Sequence, residues 1–451
     1  MSQASELLGA SRAPHIRLLG AVSAAHFVSH YYILVLAPLL PFVRAEYGVS
    51  YTEIGFAFAA FNVVSAALQT PAGFLVDRLG ARILLIAGLV IGACAFIAAG
   101  LIDSFWVMVA MFALAGVGNT VYPPADYALL SHHVPSDRIG QAFSIHTFAG
   151  MLGSAVAPAS LLMMQSLWGW RGAFIGSGIL GFAAAALLLA MREGPETVAP
   201  PPVPRAGTDN AAAGWRLLLS PPILLNLVFF ALLAMMSGGT YNYSVVALGA
   251  LYGTPVTTAN IALSGNLMLS AIGVLIGGVL VGRTTRHGLV ATLGLAGIAL
   301  FIALVAQVDL GTLALIAAMS AAGLCSGIIM PSRDMIVREV TPPGSFGKVF
   351  GFVTTGFNIG GIISPLIFGA IMDHGSPRLV FVLVAAFSLI AIMTVATRPR
   401  RAACRRTCQI GQIAPCQGPP AQCRWVISAA LSQALLGDRP TVGLQTLTLA
   451  I

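Results

Sequence analysis

Charged residues are scarce in this chain: they make up 8% of its 451 residues, whereas an average soluble domain carries about 25%. Hydrophobic residues make up 57%. So little charge on so apolar a chain excludes water as the solvent for most of it, and a lipid bilayer takes that place. The formal net charge of +8 comes from loops and a basic tail, so no nucleic-acid partner is expected.

Motifs of nucleotide-driven and hydrolytic chemistry are also missing. The chain has no Gly-x-x-x-x-Gly-Lys-Ser/Thr loop to hold ATP phosphates and no nucleophile elbow. Four of the six cysteines follow Arg398 and lack the paired Cys-x-x-Cys spacing of zinc sites. We therefore expect no enzyme, no cofactor and no metal site.

Apolar runs long enough to cross a bilayer, about 20 residues at 1.5 Å rise each, recur from Arg17 to Thr397. They predict twelve transmembrane helices, at 17–41, 53–75, 83–101, 105–131, 139–165, 171–191, 220–247, 257–281, 288–307, 311–337, 348–371 and 378–397. Basic residues favour alternate loops, and up to the twelfth run the opposite loops hold only Arg44, Arg171 and Arg378. The positive-inside rule predicts a multi-pass cell-membrane protein, in a bacterium of the inner membrane, with both termini cytoplasmic.

The two halves of the chain repeat each other. A shift of 207 residues aligns, without a gap, Gly140 with Gly347, Phe143 with Phe350, Thr147 with Thr354, Gly153 with Gly360, Pro158 with Pro365, Arg171 with Arg378 and Phe174 with Phe381. Such a duplication predicts an all-α integral membrane fold, with twelve helices in two pseudo-symmetric six-helix bundles. The expected segments are a cytoplasmic N-terminal segment at 1–16, bundles at 17–191 and 220–397, a proline-rich cytoplasmic linker at 192–219 and an atypical tail at 398–451.

The tail contains clustered arginine and cysteine, Arg400-Arg-Ala-Ala-Cys404-Arg-Arg-Thr-Cys408, and differs in character from the body of the chain. One hypothesis is an appended or frame-shifted extension. Removal of the chain after Arg401 is then expected to preserve transport.

The turn between the second and third runs combines glycine with charge: Gly73-Phe-Leu-Val-Asp77-Arg78-Leu-Gly80-Ala-Arg82. In this decapeptide the chain resembles the major facilitator superfamily, whose signature lies between the same two helices. The equivalent turn of the second half, 278–286, carries Gly282 in place of the aspartate. Within the superfamily, the stretches 25–41 and 119–124 are similar to the fosmidomycin-resistance type of drug exporter.

The resemblance implies a gate on the cytoplasmic side. Its expected residues are Gly73, Asp77, Arg78, Gly80, Arg82, Asp126, Arg283 and Asp334. Asp77 is expected to meet the positive N-terminal end of a helix in the other half when this side is closed. We expect Asp126 to pair with Arg78 or Arg82, and Asp334 to lie near Arg283 and Arg286. The alternative is that these residues only fix topology and helix packing.

Glycine and proline inside the fifth and eleventh runs predict bends in those helices. The segment 153–158 is similar to the superfamily's antiporter motif at Gly153 and Pro158. Proline kinks a membrane helix, and packed neighbours tolerate the kink. The expected helix hinges are Gly153, Pro158, Gly360 and Pro365.

Ionisable residues inside the apolar runs are few, and each costs at least about 2.5 to 3.5 kcal/mol to insert. His26 and His30 lie four residues apart, hence on one helix face, where they carry a proton or face an anionic substrate. The alternative is hydrogen bonding within helix packing, and His146 leaves the same choice. A metal site is not expected, since no third ligand is evident near the pair.

Polar residues near the middle of the runs complete the expected substrate or proton pathway. Its members are His26, His30, Asn62, Asn119, Tyr122, Tyr241, Asn242, Asn266, Arg333 and Asn358. Amides in membrane helices also serve as packing contacts, worth about 0.6 kcal/mol each. Arg333 either balances a negative charge on a substrate or forms an internal salt bridge to its neighbour Asp334.

These expectations combine into a secondary transporter that works by rocking of two bundles. The first hypothesis is proton-coupled export of a small, mostly apolar or amphipathic compound. The second is proton-coupled import of an organic anion, with His26, His30 and Arg333 holding the negative charge. From another class, a non-transporting membrane receptor or membrane enzyme stays open. The expected partners are a small solute, protons and the lipid bilayer, and the expected state is a monomer.

Overall fold

A computed structural model describes residues 2–134, 139–191, 216–342 and 345–396. Within these ranges the helices are α1 (Ser2–Ile33), α2 (Leu40–Tyr47), α3 (Tyr51–Leu79), α4 (Ala81–Leu101), α5 (Phe105–Asn119), α6 (Tyr122–His133), α7 (Ile139–Ala190), α8 (Pro221–Gly238), α9 (Ser244–Tyr252), α10 (Val256–Arg283), α11 (His287–Gln307), α12 (Gly311–Val340), α13 (Phe346–Asp373) and α14 (Pro377–Ala396). A 3-10 turn, Ala37–Leu39, precedes α2, and a π-helical turn, Gly239–Tyr243, joins α8 to α9. The tail predicted at 398–451 and most of the linker predicted at 192–219 lie outside the described residues.

The described ranges contain eleven helical segments that are long and apolar enough to cross a membrane. One of them, Gln141–Ala190, has 50 residues, and at about 1.5 Å per residue it exceeds twice a hydrocarbon core of about 30 Å. Gly169 breaks this segment with φ 70° and ψ 171°, a conformation that favours glycine. The segment therefore makes two crossings. The all-α membrane fold with twelve crossings is confirmed.

The ends of α3 follow from its sequence. Ser50 and Glu53 form a capping box: the Ser50 hydroxyl accepts from the Glu53 N–H at 3.1 Å, and the Glu53 carboxylate accepts from the Ser50 N–H at 2.7 Å. At the other end Gly80 has φ 89°, so α3 stops there and α4 starts at the next residue. The glycine-rich decapeptide thus spans the end of α3 and the start of α4.

The two halves of the chain meet along two helix pairs, α3 with α13 and α7 with α10. Glycine permits a close approach, since a Cβ at Gly55 on α3 would lie 2.9 Å from the Pro365 carbonyl oxygen on α13. Both α7 and α13 continue through their internal prolines, Pro158 and Pro365. The hinge role of these prolines stays a prediction. These helix pairs leave a space between the two halves.

Candidate functional site

A cavity of about 440 Å³ lies between the two halves, a volume typical of small-molecule sites. Its polar lining among the described residues is His30, Asn62 and Ser154 from the first half and Ser237, Thr240, Tyr241, Asn242, Asn266, Ser270, Ser326, Arg333 and Ser364 from the second. Six predicted pathway residues therefore line one cavity: His30, Asn62, Tyr241, Asn242, Asn266 and Arg333. Both halves contribute to it, as alternating access requires.

The halves are joined at the end of the molecule where α3 begins, which we call the clasp end. The Asp373 carboxylate, at the end of α13, accepts hydrogen bonds from the N–H groups of Tyr51 and Thr52 at 2.7 and 2.9 Å. It also accepts from the Thr52 hydroxyl at 2.6 Å. These N–H groups are the unpaired donors of the first turn of α3, where the helix dipole favours an anion. Asp373 thus caps a helix of the other half.

Four ionisable side chains of the first half form a cluster beside the cavity. Asp126 Oδ2 on α6 lies 3.1 Å from His26 Nδ1 on α1 and 3.4 Å from His146 Nε2 on α7. The His26 ring stacks on that of His146, with centroids 3.9 Å apart, and lies 4.7 Å from that of His30. We call His26, His30, Asp126 and His146 the histidine–aspartate cluster. It ties three helices of one half together.

His30 connects this cluster to the cavity. Its ring lines the cavity, and its Nδ1 lies 3.3 Å from the hydroxyl of Ser154, another lining residue. Gly150 on α7 leaves the room for the two rings of α1. A Cβ at Gly150 would lie 2.5 Å from His26 Cδ2 and 2.9 Å from His30 Cδ2. The close packing of α1 on α7 therefore depends on glycine at this position.

Burial limits the charge states of the cluster. The Asp126 side chain is fully buried, and those of His146 and His26 are 2% and 18% exposed. A buried carboxylate is costly unless it is protonated or faces a cation. Asp126 Oδ1 and both ring nitrogens of His146 have no hydrogen-bond partner among the described residues, so the 3.4 Å contact with Asp126 is an ion-pair distance without hydrogen-bond alignment. The arrangement fits one proton shared between the carboxylate and the His26 ring.

Arg333 on α12 carries a fixed positive charge into the cavity. Its Nε donates to Asp334 Oδ1 at 2.9 Å, as one of the two sequence alternatives predicts. Its guanidinium carbon lies 4.8 and 5.1 Å from the ring centroids of Phe230 and Phe357. Such cation–π contacts are worth about 0.5 to 2 kcal/mol each. The ion pair and the two rings together fix the plane of the guanidinium.

The other predicted pathway residues lie outside the lining. His26 belongs to the cluster. Asn119 donates through Nδ2 to the Ser65 hydroxyl at 3.3 Å, a contact within the first half. Tyr122 is buried, and its hydroxyl has no hydrogen-bond partner among the described residues. Asn358 lies half-buried on α13. Their substrate roles stay predictions.

The expected hinge glycines are places of close helix packing. A Cβ at Gly153 would lie 2.1 Å from the Phe27 carbonyl oxygen, and one at Gly360 would lie 2.4 Å from the Ala231 carbonyl oxygen. Any side chain there would push neighbouring backbones apart. Packing explains these glycines directly, and a hinge function stays a prediction.

Two pairings expected at the gate are wrong. Asp126 faces His26 and His146 rather than Arg78 or Arg82, because it lies at full burial inside the first half. The Arg82 guanidinium donates to backbone carbonyl oxygens at the end of α7.

On the second half, Asp334 pairs with Arg333 and not with the arginines of the 278–286 turn. The Asp77 side chain lies outside the described residues, so its gate contact stays a prediction. Gly73 and Gly80 lie at the end of α3, where the decapeptide predicts the gate.

The argument that no third metal ligand lies near His26 is also wrong. Ligand atoms of His26, Asp126 and His146 all lie within 4.8 Å of one another. The two rings, however, stack with an interplanar angle of 27°, so their in-plane lone pairs run nearly side by side. Metal ligands converge on one point. The geometry favours a shared proton over a bound ion.

Sequence reasoning missed Asp373 and the serines of the cavity. Asp373 ends an apolar run and reads as an ordinary interfacial charge, since only the fold brings it to α3. Serine occurs throughout the runs, so its presence does not single out a position. The lone signal for Asp373 is that it is the one acidic residue between Lys348 and Arg378, just after the apolar run 348–371.

Two halves of membrane-crossing helices around a polar cavity define a solute transporter of the two-bundle class. The model of the Major Facilitator Superfamily matches residues 22–245 and 227–409. The chain belongs to this superfamily, and it is a secondary transporter.

Curated relatives cover most of the chain at modest identity. The chain is 24% identical over 386 residues to the fosmidomycin resistance protein of Escherichia coli, covering 84% of this chain and 92% of that protein. It is 26% identical over 404 residues to the "Probable sulfoacetate transporter SauU" of Cupriavidus necator, covering 82% and 90%. A multi-drug resistance efflux pump of Streptococcus pneumoniae is 25% identical and matches 79% of this chain and 89% of the pump.

Solved structures share the fold. The nucleoside transporter NupG superposes with a TM-score of 0.69 at 15% identity and covers 86% of this chain and 100% of its own. A bacterial homolog of the human lysosomal transporter Spinster, in an inward-facing and unoccupied conformation, gives 0.69 at 16% identity and covers 86% and 99%. At these identities the likeness concerns the fold alone.

Proposed function

We propose that this protein is a proton-coupled transporter that exports a small organic solute by alternating access. The observation that carries the proposal is the histidine–aspartate cluster, which is buried in one half and reaches the cavity through His30. Histidine titrates within the physiological pH range, so a cluster of three imidazoles can follow a proton gradient. Such groups inside a membrane protein typically belong to a proton relay.

The cluster is the proton site and the cavity is the solute site in this mechanism. A proton from the cavity reaches His30 first and passes to His26, whose Nδ1 faces Asp126. Its arrival converts a cluster with an ionised carboxylate and neutral imidazoles into an ion pair, or it neutralises the carboxylate. Either change alters the contact among α1, α6 and α7, and α1 and α7 line the cavity. Proton occupancy and solute occupancy are therefore linked through the same helices.

Alternating access requires one end of the molecule to open while the other closes. We assign the clasp end to the extracytoplasmic side and the 73–82 turn to the cytoplasmic side, because basic residues favour the loops of the latter. Both termini are then cytoplasmic, in a bacterial inner membrane, and the protein works as a monomer. Opening at the clasp end separates Asp373 from α3, and closure at the other end engages Asp77.

Export is supported by the names of two relatives that cover most of this chain, a resistance protein and an efflux pump. Import of an organic anion with a proton is the second candidate. Arg333 in the cavity supports it, as do relatives named for sulfoacetate and L-galactonate transport.

Everted membrane vesicles with a respiration-driven acidic interior test the proposal. Fosmidomycin, sulfoacetate and L-galactonate are added outside, which is the cytoplasmic side, and interior pH is followed with a fluorescent dye. Proton-coupled export predicts that one of them makes the interior less acidic, since protons leave as solute enters. An importer that carries solute and proton together would run in reverse in these vesicles. Protons would then enter with the solute, and the interior would become more acidic.

The Asp126→Asn variant is expected to abolish either response, and Asp309→Asn at an exposed turn serves as the matched control. Solute accumulation in wild-type vesicles without any proton movement would contradict the proposal.

A further inference from the structure

The fixed charge that lines the cavity has one sign. Among the described residues that line it, Arg333 carries a fixed positive charge, His30 is ionisable and none is acidic. Asp334 is the partner of Arg333, but its side chain is 44% exposed whereas that of Arg333 is 11% exposed. Solvent screens the exposed carboxylate more strongly than the buried guanidinium. The fixed charge of the lining itself is therefore positive.

The shape of the Arg333 site leaves the outer edge of the guanidinium for a ligand. Asp334 uses Nε, and the rings of Phe230 and Phe357, whose centroids lie 4.8 Å from each other, pack together on one side of the guanidinium. Within the described part of the chain, Asp334 is the one hydrogen-bond acceptor that Arg333 meets. The terminal Nη groups form a parallel pair of donors that matches two oxygens of a carboxylate, sulfonate or phosphonate. Asp334 offsets part of the cost of burying this guanidinium, and an anion at the Nη groups would offset more of it.

The rest of the polar lining suits hydroxyl groups. Asn62 and Asn266 each hold their amide in place by one hydrogen bond of 2.8 Å, to the carbonyl oxygens of Phe58 and Met319. Each keeps its Oδ1 as an acceptor. The Ser364 hydroxyl is buried and has no partner among the described residues. Hydroxyl groups of a ligand would satisfy these acceptors and this orphan hydroxyl.

We infer that the transported solute is a small hydroxylated organic anion, whose acidic head binds the outer edge of Arg333 and whose hydroxyl groups meet Asn62 and Asn266. The inference rests on the proposed function, because it names the solute of that same cavity. A neutral apolar compound, the first expectation from the sequence, would leave the guanidinium edge without a partner. The anion also brings a negative charge toward His30, which links its binding to the proton site.

Thermal unfolding of the purified protein in detergent tests the inference. No proton gradient exists in detergent, so this assay measures anion binding alone. A failure of the inference can therefore be told apart from a failure of proton coupling, which the vesicle assay measures. The probes are gluconate, isethionate and hydroxymethylphosphonate, with sorbitol and ethylene glycol as their uncharged analogues. At least one anion is expected to raise the unfolding temperature, and neither uncharged analogue is expected to do so at the same concentration.

Variants of α12 locate the effect. Arg333→Gln is expected to weaken the binding of that anion at least about tenfold. Arg333→Lys keeps the charge but loses the paired donors, so an intermediate loss is expected. Arg338→Gln, at an exposed position of the same helix, is the matched control and keeps wild-type binding.

Three results would overturn the inference: no anion stabilises the protein, an uncharged analogue stabilises it as much as its anion, or both Arg333 variants bind as tightly as wild type.

Discussion

The two halves place opposite charges at matching positions. The shift of 207 residues that relates them puts Arg333 on α12 where α6 has Asp126, and Pro331 where α6 has Pro124. Asp126 is fully buried and faces two imidazoles, whereas Arg333 opens on the cavity. In the proposed mechanism, one copy of a repeated position is the proton site and the other is the solute site. A duplicated bundle would thereby separate two tasks that share one cycle.

The largest effect is expected from Asp126→Asn, which removes the carboxylate and keeps the shape of the side chain. Without it no imidazolium is stabilised in the cluster, so proton-driven transport is expected to fall at least about a hundredfold, the scale of losing a proton-transfer group. The measurement is flux into proteoliposomes under an imposed pH gradient, with Asp309→Asn as the control. Wild-type flux in the Asp126 variant would break the distinction between the halves.

Gly150→Ala sharpens the comparison by disturbing geometry without removing charge. The new methyl group would lie 2.5 Å from His26 and 2.9 Å from His30, so both rings must move. Overpacking of this kind costs about 1 to 3 kcal/mol, and a loss of transport of about tenfold or more is expected. Gly351→Ala is the control, since nothing lies within 4 Å of a Cβ there. Equal flux in both variants would show that ring positions do not matter.

Asp373→Asn is expected to favour the state that is open at the clasp end. Loss of a charged cap costs about 0.5 to 2 kcal/mol, so the ratio of open to closed molecules rises about fivefold. The measurement is labelling of a cysteine placed at Ser237 by an impermeant maleimide applied from outside, with the native cysteines removed. Asp309→Asn is again the control. Unchanged labelling would exclude Asp373 from the gate.

The smallest effect is expected from Phe357→Leu, which removes one ring from the guanidinium of Arg333. The contact is worth about 0.5 to 1 kcal/mol at a partly exposed site, so anion binding is expected to weaken about two- to fivefold. Titration calorimetry of the purified protein measures it, and Phe182→Leu, at an exposed position of α7, is the control. A loss that matches Arg333→Gln would mean that the ring itself holds the solute.

Sequence patterns predicted the crossings and much of the cavity lining. Apolar length alone locates membrane helices, and a polar residue inside an apolar run is rare enough to single out His30, Asn62 and Asn266. The sequence does not predict how each helix is rotated about its own axis, because tertiary packing sets that rotation. The sequence therefore shows that His26 and His30 share a face, and it does not show that α6 and α7 bring Asp126 and His146 to that face.

Asp126 illustrates why one expected gate contact is wrong. A single continuous helix over 105–131 would place Asp126 near its cytoplasmic end. In the structure the crossing is interrupted: α5 ends at Asn119, and α6 restarts at Tyr122 with Pro123 in its first turn. Asp126 then lies early in a new helix, pointing at α1. A proline pair signals a break, and the direction of the restarted helix depends on its neighbours.

The separation of proton site from solute site is tested most directly by the affinity of the purified protein for its anion, measured between about pH 5 and about pH 8, where histidine titrates. The titratable groups around Asp126 are His26 from α1, His146 from α7, and Tyr122 and Tyr127 from α6, with His30 behind His26. Wild-type affinity is expected to change at least about threefold over this range, because the two sites are linked.

Asp126→Asn is expected to bind the anion with an affinity that does not depend on pH, since buried imidazoles without the carboxylate stay neutral. Equal pH dependence in variant and wild type, or a variant that has lost binding, would contradict the division between the halves.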